Sequence, residues 1–128
     1  MGKRVLVAED EPNIIEPLTF LLGRAGFDVA VETDGRAALD AVLSDCPDVL
    51  ILDVMLPSMD GYEILKRLRA DRTCAALPVL MLTAKGQKED RETALQNGAD
   101  LFITKPFANA EIISAVEELA KGRPSNRV

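Results

Sequence analysis

Five short, uninterrupted apolar runs punctuate the chain, at residues 5–8, 29–31, 49–52, 79–82 and 101–103. Continuous rather than alternating apolarity is the mark of strands covered on both faces, as in a parallel sheet. Between the runs, apolar residues recur at helical spacing: Ile14, Ile15, Leu18, Leu22 and Ala25, then Ile64, Leu65 and Leu68, and finally Ile112, Ile113, Val116, Leu119 and Ala120. The pattern predicts a strand followed by a helix, repeated five times. Residues 94–97 carry the weakest apolar stripe, so the fourth helix is expected to be short, comparatively exposed and a candidate moving part. Pro17 falls inside the first helical pattern, where it removes a backbone donor and crowds the preceding turn; a kink is expected there.

Such alternation predicts a doubly wound α/β domain with right-handed crossovers. With five strands, the leading arrangement is the flavodoxin-like (βα)5 fold, a parallel sheet in the order 2-1-3-4-5. In that architecture ligands bind beyond the carboxyl ends of the strands. The expected organisation is one domain over residues 1–121 and a flexible tail or linker start over 122–128. From Lys121 onward the chain has three basic residues, no acid, a glycine and a proline, which is why the domain is expected to stop there.

Composition narrows the function. With 128 residues, 48% of them hydrophobic, the chain suits a single core. Its 15 basic and 21 acidic residues give a formal charge of −6, which phosphate backbones repel, so direct nucleic-acid binding by this chain is not expected. Cys46 and Cys74 match no metal-ligand spacing and read as reduced thiols of a cytoplasmic protein. The N-terminal run is too short for a signal peptide or for a span of ~20 apolar residues, so neither export nor a membrane location is expected. Absence of histidine removes His-based triads, His-ligated zinc and histidine general bases. There is also no GxxxxGK[ST] or GxGxxG loop, which disfavours nucleotide-dependent enzymes.

The residues just beyond the apolar runs are chemically loaded. Glu9, Asp10 and Glu11 follow the first run, Asp53 the third, Thr83 the fourth, and Thr104, Lys105 and Pro106 the fifth. Singly, each has an ordinary explanation: Asp10 a helix cap, Asp53 a turn acid, Thr83 a strand end, Lys105 a solvated lysine. Jointly, at four successive carboxyl edges, chance placement is a poor account. Clustered carboxylates repel one another unless a cation joins them, so Glu9, Asp10 and Asp53 suggest a divalent metal site. Oxygen donors with few carboxylates suit Mg²⁺. An Asp beside Mg²⁺ can attack phosphorus, with Lys105 neutralising charge on the transferred group. Thr83 can then donate its hydroxyl to a phosphoryl oxygen, a contact that exists only after modification.

The segments VLVAEDEP, LILDVMLPSMDGYEIL, VLMLTA and NGADLFITKPF, in this order and spacing, resemble the receiver domains of bacterial two-component response regulators over about residues 3–121. The resemblance implies that Asp53 is the phosphoacceptor. It also implies that Asp10 and Asp53 ligate Mg²⁺ directly, with Met55 adding its backbone carbonyl and Glu9 acting mainly through water. Thr83 corresponds to the family's switch hydroxyl, Lys105 to its active-site lysine and Phe102 to its switch aromatic. Pro106 corresponds to a proline whose preceding bond is commonly cis, which would aim Lys105 inward. Met55 and Lys85 correspond to positions flanking the path of the hydrolytic water, where side chains tune the lifetime of the phosphorylated state. Read from the residues alone, Phe102 is also a plain core position, and Met55 and Lys85 ordinary loop side chains.

The resemblance further implies a phosphoryl donor that is a histidine kinase or a histidine phosphotransfer protein. The output would be an altered affinity for a downstream protein, read from the face built by the fourth helix, fifth strand and fifth helix. A monomer or weak dimer is expected, assisting its own phosphorylation and dephosphorylation without turning over external substrates. Two other classes compete: a Mg²⁺-dependent phosphatase using an aspartyl-phosphate, disfavoured by the lack of a cap domain or a second acid-base residue just after Asp53, and an interaction module that has lost the chemistry, disfavoured by Asp10, Asp53, Thr83 and Lys105. The segment ADLFITKPFANAEI resembles the dimerising DNA-binding subgroup poorly, which favours a stand-alone regulator or a phosphorelay intermediate.

Overall fold

Strands and helices alternate without exception in the computed structural model, which describes residues 2–84 and 88–121. In chain order they are β1 (Arg4–Ala8), α1 (Pro12–Arg24), β2 (Asp28–Glu32), α2 (Gly35–Ser44), β3 (Val49–Asp53), α3 (Gly61–Ala70), β4 (Val79–Thr83), α4 (Lys88–Gln96), β5 (Leu101–Thr104) and α5 (Asn109–Ala120). All neighbouring strands pair in parallel, in the order β2-β1-β3-β4-β5. This is the expected (βα)5 arrangement. Residues 122–128, the expected tail, lie outside the described residues.

The sheet separates two apolar clusters. One face carries Leu6, Leu50, Leu52 and Met81 against Leu39, Ile64, Leu65 and Leu68 of α2 and α3. The other carries Val5, Val7, Ile51, Leu80 and Leu82 against Leu18, Leu22, Ile112 and Val116 of α1 and α5. Every residue of β3 and β4 is buried, as a strand covered on both faces must be. The edge strands depart from that expectation. No residue of β2 is fully buried, and β5 buries only Phe102, because each edge strand lacks a neighbour on one side and is covered incompletely.

Local chemistry sets several helix ends. Asp34 and Asp60 cap α2 and α3, accepting the backbone N–H groups of Ala37 and Glu63 at 3.0 Å each. The first helix continues across Pro17, held to the sheet by buried Leu18 and Leu22. As the pattern anticipated, α4 is short and poorly anchored: among its described side chains only Ala94 is buried. Its far end is tied down instead by Arg69 of α3, whose guanidinium donates to the Gly98 carbonyl at 2.7 and 3.1 Å. Gly98 itself holds a φ of 104°, a conformation that glycine adopts without steric cost. The two thiols are unbonded but adjacent; burial and a hydrogen bond with Cys74 push the Cys46 thiol up to about 12.

Candidate functional site

The carboxyl ends of β1, β3, β4 and β5 bring their loaded residues together. Asp53, Thr83 and Thr104 are the last residues of their strands rather than the first beyond them, with Asp53 opposite Leu82 and Thr83 opposite Thr104 in register. Such placement inside the ladder fixes each backbone before its side chain reaches the edge. Behind Asp53, α3 begins at Gly61, where a Cβ would lie 2.6 Å from the Asp53 carbonyl oxygen. Only glycine lets the helix start this close to the strand.

Glu9, directly after β1, is fully buried, and its Oε2 accepts the backbone N–H groups of Asp10 and Glu11 at 3.1 Å each. Asp53 is buried as well; its Oδ1 accepts the Met55 N–H at 3.3 Å. Asp10 is exposed. One carboxylate oxygen from each of Glu9, Asp10 and Asp53 lies within 4.8 Å of the others.

Lys105 enters this cluster from β5, its backbone N–H donating to the Thr83 carbonyl at 2.7 Å and its peptide bond to Pro106 being cis. Its Nζ lies 3.2 Å from Asp53 Oδ2, 3.1 Å from Glu9 Oε1 and 3.1 Å from Glu11 Oε2. The Glu9 Oε1 contact is an ion pair outside hydrogen-bonding geometry, so this buried oxygen has no hydrogen-bond donor. Burial, reinforced by the Asp53 charge, pushes the Glu9 carboxyl up to about 7 despite the opposing pull of Lys105. Burial alone would lower the Lys105 ammonium. The hydrogen bond to Glu11 and the charges of Asp53 and Glu9 outweigh it, so the ammonium is held above the ordinary lysine value.

The remaining expected site residues lie around this centre. Thr83 is buried at the end of β4, and the Met55 side chain is exposed on the loop after β3. Phe102 points into the core, and the Arg91 guanidinium of α4 sits 5.4 Å from its ring centroid. Lys85 lies outside the described residues. Two participants escaped sequence reasoning. Glu11 stood among the strand-end acids with no role of its own, and nothing in the chain's pattern pairs Arg91 with Phe102.

The model of the response regulator receiver domain matches residues 5–117. The chain is 40% identical over 121 residues to the alkaline phosphatase synthesis transcriptional regulatory protein PhoP of Bacillus subtilis, covering 94% of this chain and 50% of that protein. It is 43% identical over 116 residues to the DNA-binding response regulator MtrA of Mycobacterium tuberculosis, covering 91% of this chain and 50% of the relative. It thus spans about half the length of these relatives. Among solved structures, the receiver domain of a Pseudomonas aeruginosa sensor histidine kinase superposes with a TM-score of 0.83 at 30% identity, over 95% of this chain and 100% of the other. That structure holds a magnesium ion coordinated in its active site cleft. Sequence motif, strand order and relatives agree, and the chain belongs to the response regulator receiver domain family.

Proposed function

We propose that Asp53 accepts a phosphoryl group from a phosphohistidine donor, a histidine kinase or a histidine phosphotransfer protein. An Asp53 carboxylate oxygen attacks phosphorus, the O–P bond forms, and the P–N bond to the donor imidazole breaks. The electron pair leaves with the imidazole, which takes up a proton. The observation that carries this reading is the convergence on Asp53 of the Lys105 ammonium, 3.2 Å away, and a cluster with Glu9 and Asp10.

The donor set fits a hard divalent cation: it is all oxygen, and the buried Glu9 Oε1 lacks a hydrogen-bond donor. Asp10 and Asp53 would ligate Mg²⁺ directly, with the Met55 carbonyl, and Glu9 mainly through water. When bound, the ion supplies positive charge against the phosphoryl oxygens. Lys105 neutralises the same charge from the β5 side. Thr83 lends its hydroxyl to the modified Asp53, drawing the end of β4 inward, and Phe102 carries the change to the face of α4, β5 and α5 through its burial. Met55 and Lys85 flank the approach of hydrolytic water. Pro106 shapes the turn that presents Lys105.

This makes residues 1–121 a receiver unit that assists its own modification and turns over no external ester. The relatives favour the receiver of a DNA-binding transcriptional regulator over the stand-alone regulator suggested by residues 99–112. With a net charge of −6, this chain itself is assigned no nucleic-acid contact. No helix among the described residues is long and apolar enough to cross a membrane. Cytoplasmic location and a monomer or weak dimer complete the reading.

The test is intact mass after incubation with Mg²⁺ and acetyl phosphate. A single phosphoryl adduct that requires Mg²⁺ and disappears in Asp53→Asn is expected. A folded, Mg²⁺-binding protein that gains no adduct from acetyl phosphate or from a phosphohistidine protein overturns the reading. Sustained hydrolysis of a phosphate ester moves it to the phosphatase class.

A further inference from the structure

Lys105 Nζ contacts three carboxylates, and they are not equivalent. Glu9 and Asp53 belong to the cluster that fits a divalent cation, whereas Glu11 does not. An ammonium at 3.1–3.2 Å from Glu9 and Asp53 stands where it competes electrostatically with that cation. As the ion enters, Lys105 must give up part of its hold on those two acids while staying close enough to meet a phosphoryl oxygen.

Glu11 is placed to hold it. The residue is the N-cap of α1, yet its side chain makes no capping hydrogen bond; its backbone carbonyl does that work, accepting from Ile14 and Ile15 at 3.0 Å. The carboxylate reaches to Lys105 instead. It is 55% exposed, against 0% for the Glu9 side chain, so it carries its charge without the burial that Glu9 suffers. Its backbone is tied to the site as well, because the Glu11 N–H donates to Glu9 Oε2 at 3.1 Å.

We propose that Glu11 is a positioning residue: it keeps the Lys105 ammonium at the rim of the site and so leaves Glu9, Asp10 and Asp53 free to take a divalent cation. This rests on the reading of those three acids as the Mg²⁺ site. Without Glu11, the ammonium has, among the described residues, only the cluster's own carboxylates as partners and opposes the ion more strongly.

Calorimetric Mg²⁺ titration of the wild type, Glu11→Gln, Lys105→Gln and the double variant tests it, at 0.15 M salt so that exposed charges are screened beyond about 8 Å. Glu11→Gln is expected to weaken Mg²⁺ binding roughly tenfold, and by less than about threefold when Lys105 is already Gln, a coupling within the range for residues in one network. Equal losses in both backgrounds overturn the inference, reducing Glu11 to one more negative charge while the metal site stands. A wild type that binds no Mg²⁺ overturns the metal reading and the inference with it.

Discussion

A carboxyl group buried like that of Glu9 leaves a signature in stability. In the metal-free protein its value rises from 4.5 to about 7, chiefly through burial and then through the Asp53 charge. A carboxyl raised on folding binds its proton more tightly in the native state, so the native state is favoured most below the unfolded value. That advantage is lost as pH climbs from about 4.5 to about 7. Its size is up to about 3 kcal/mol on the scale of 1.36 kcal/mol per pKa unit. Urea denaturation of the metal-free protein across pH 4–8 is therefore expected to show a falling contribution over that window. Glu9→Gln should flatten that component and stabilise the metal-free protein at pH 8. A Gln variant with the wild-type pH profile would show that other groups set the slope.

Among the helices, α4 stands apart. Its sequence is dominated by charged and polar residues, only Ala94 is buried among the described side chains, and the Arg91 guanidinium sits 5.4 Å from the Phe102 ring centroid. The other helices each bury at least two residues against the sheet. An element held by so little apolar area opens at low free-energy cost. Native-state hydrogen exchange should therefore protect the α4 amides least among the five helices, with the end nearest Gly98 slower because Arg69 anchors it. Protection of α4 equal to that of α3 would contradict this account. Such looseness suits the shift of this face that is proposed to follow modification.

At the scale of the whole molecule, strand order decides what each apolar side chain contributes. Ile51 lies on the central strand β3 with no exposed surface, whereas Val29 lies on the edge strand β2 and keeps partial exposure. Ile51→Ala is expected to cost about 2–5 kcal/mol, the range for emptying a closed core site. Val29→Ala should cost clearly less, because its site is already partly wet. Paired urea melts measure both, and equal losses would mean that the central and edge strands do not differ as the topology requires.

Much of this protein was legible before folding. Each apolar run became a strand within a residue or two of its predicted limits; residues 49–52 became Val49–Asp53 and residues 5–8 became Arg4–Ala8. Period and run length report local burial, and local burial is written in neighbouring residues. The weak fourth helix and the acids at the strand ends were visible for the same reason. The incomplete cover of β2 was not, since its Val29-Ala30-Val31 run is as apolar as one from the middle of the sheet. Nor was the attachment of Lys105 to Glu11, the seat of Arg91 over Phe102, or the meeting of Cys46 with Cys74. Those depend on which elements lie side by side and how far each reaches past its neighbour, and this layering of distant segments is decided only when the chain closes on itself.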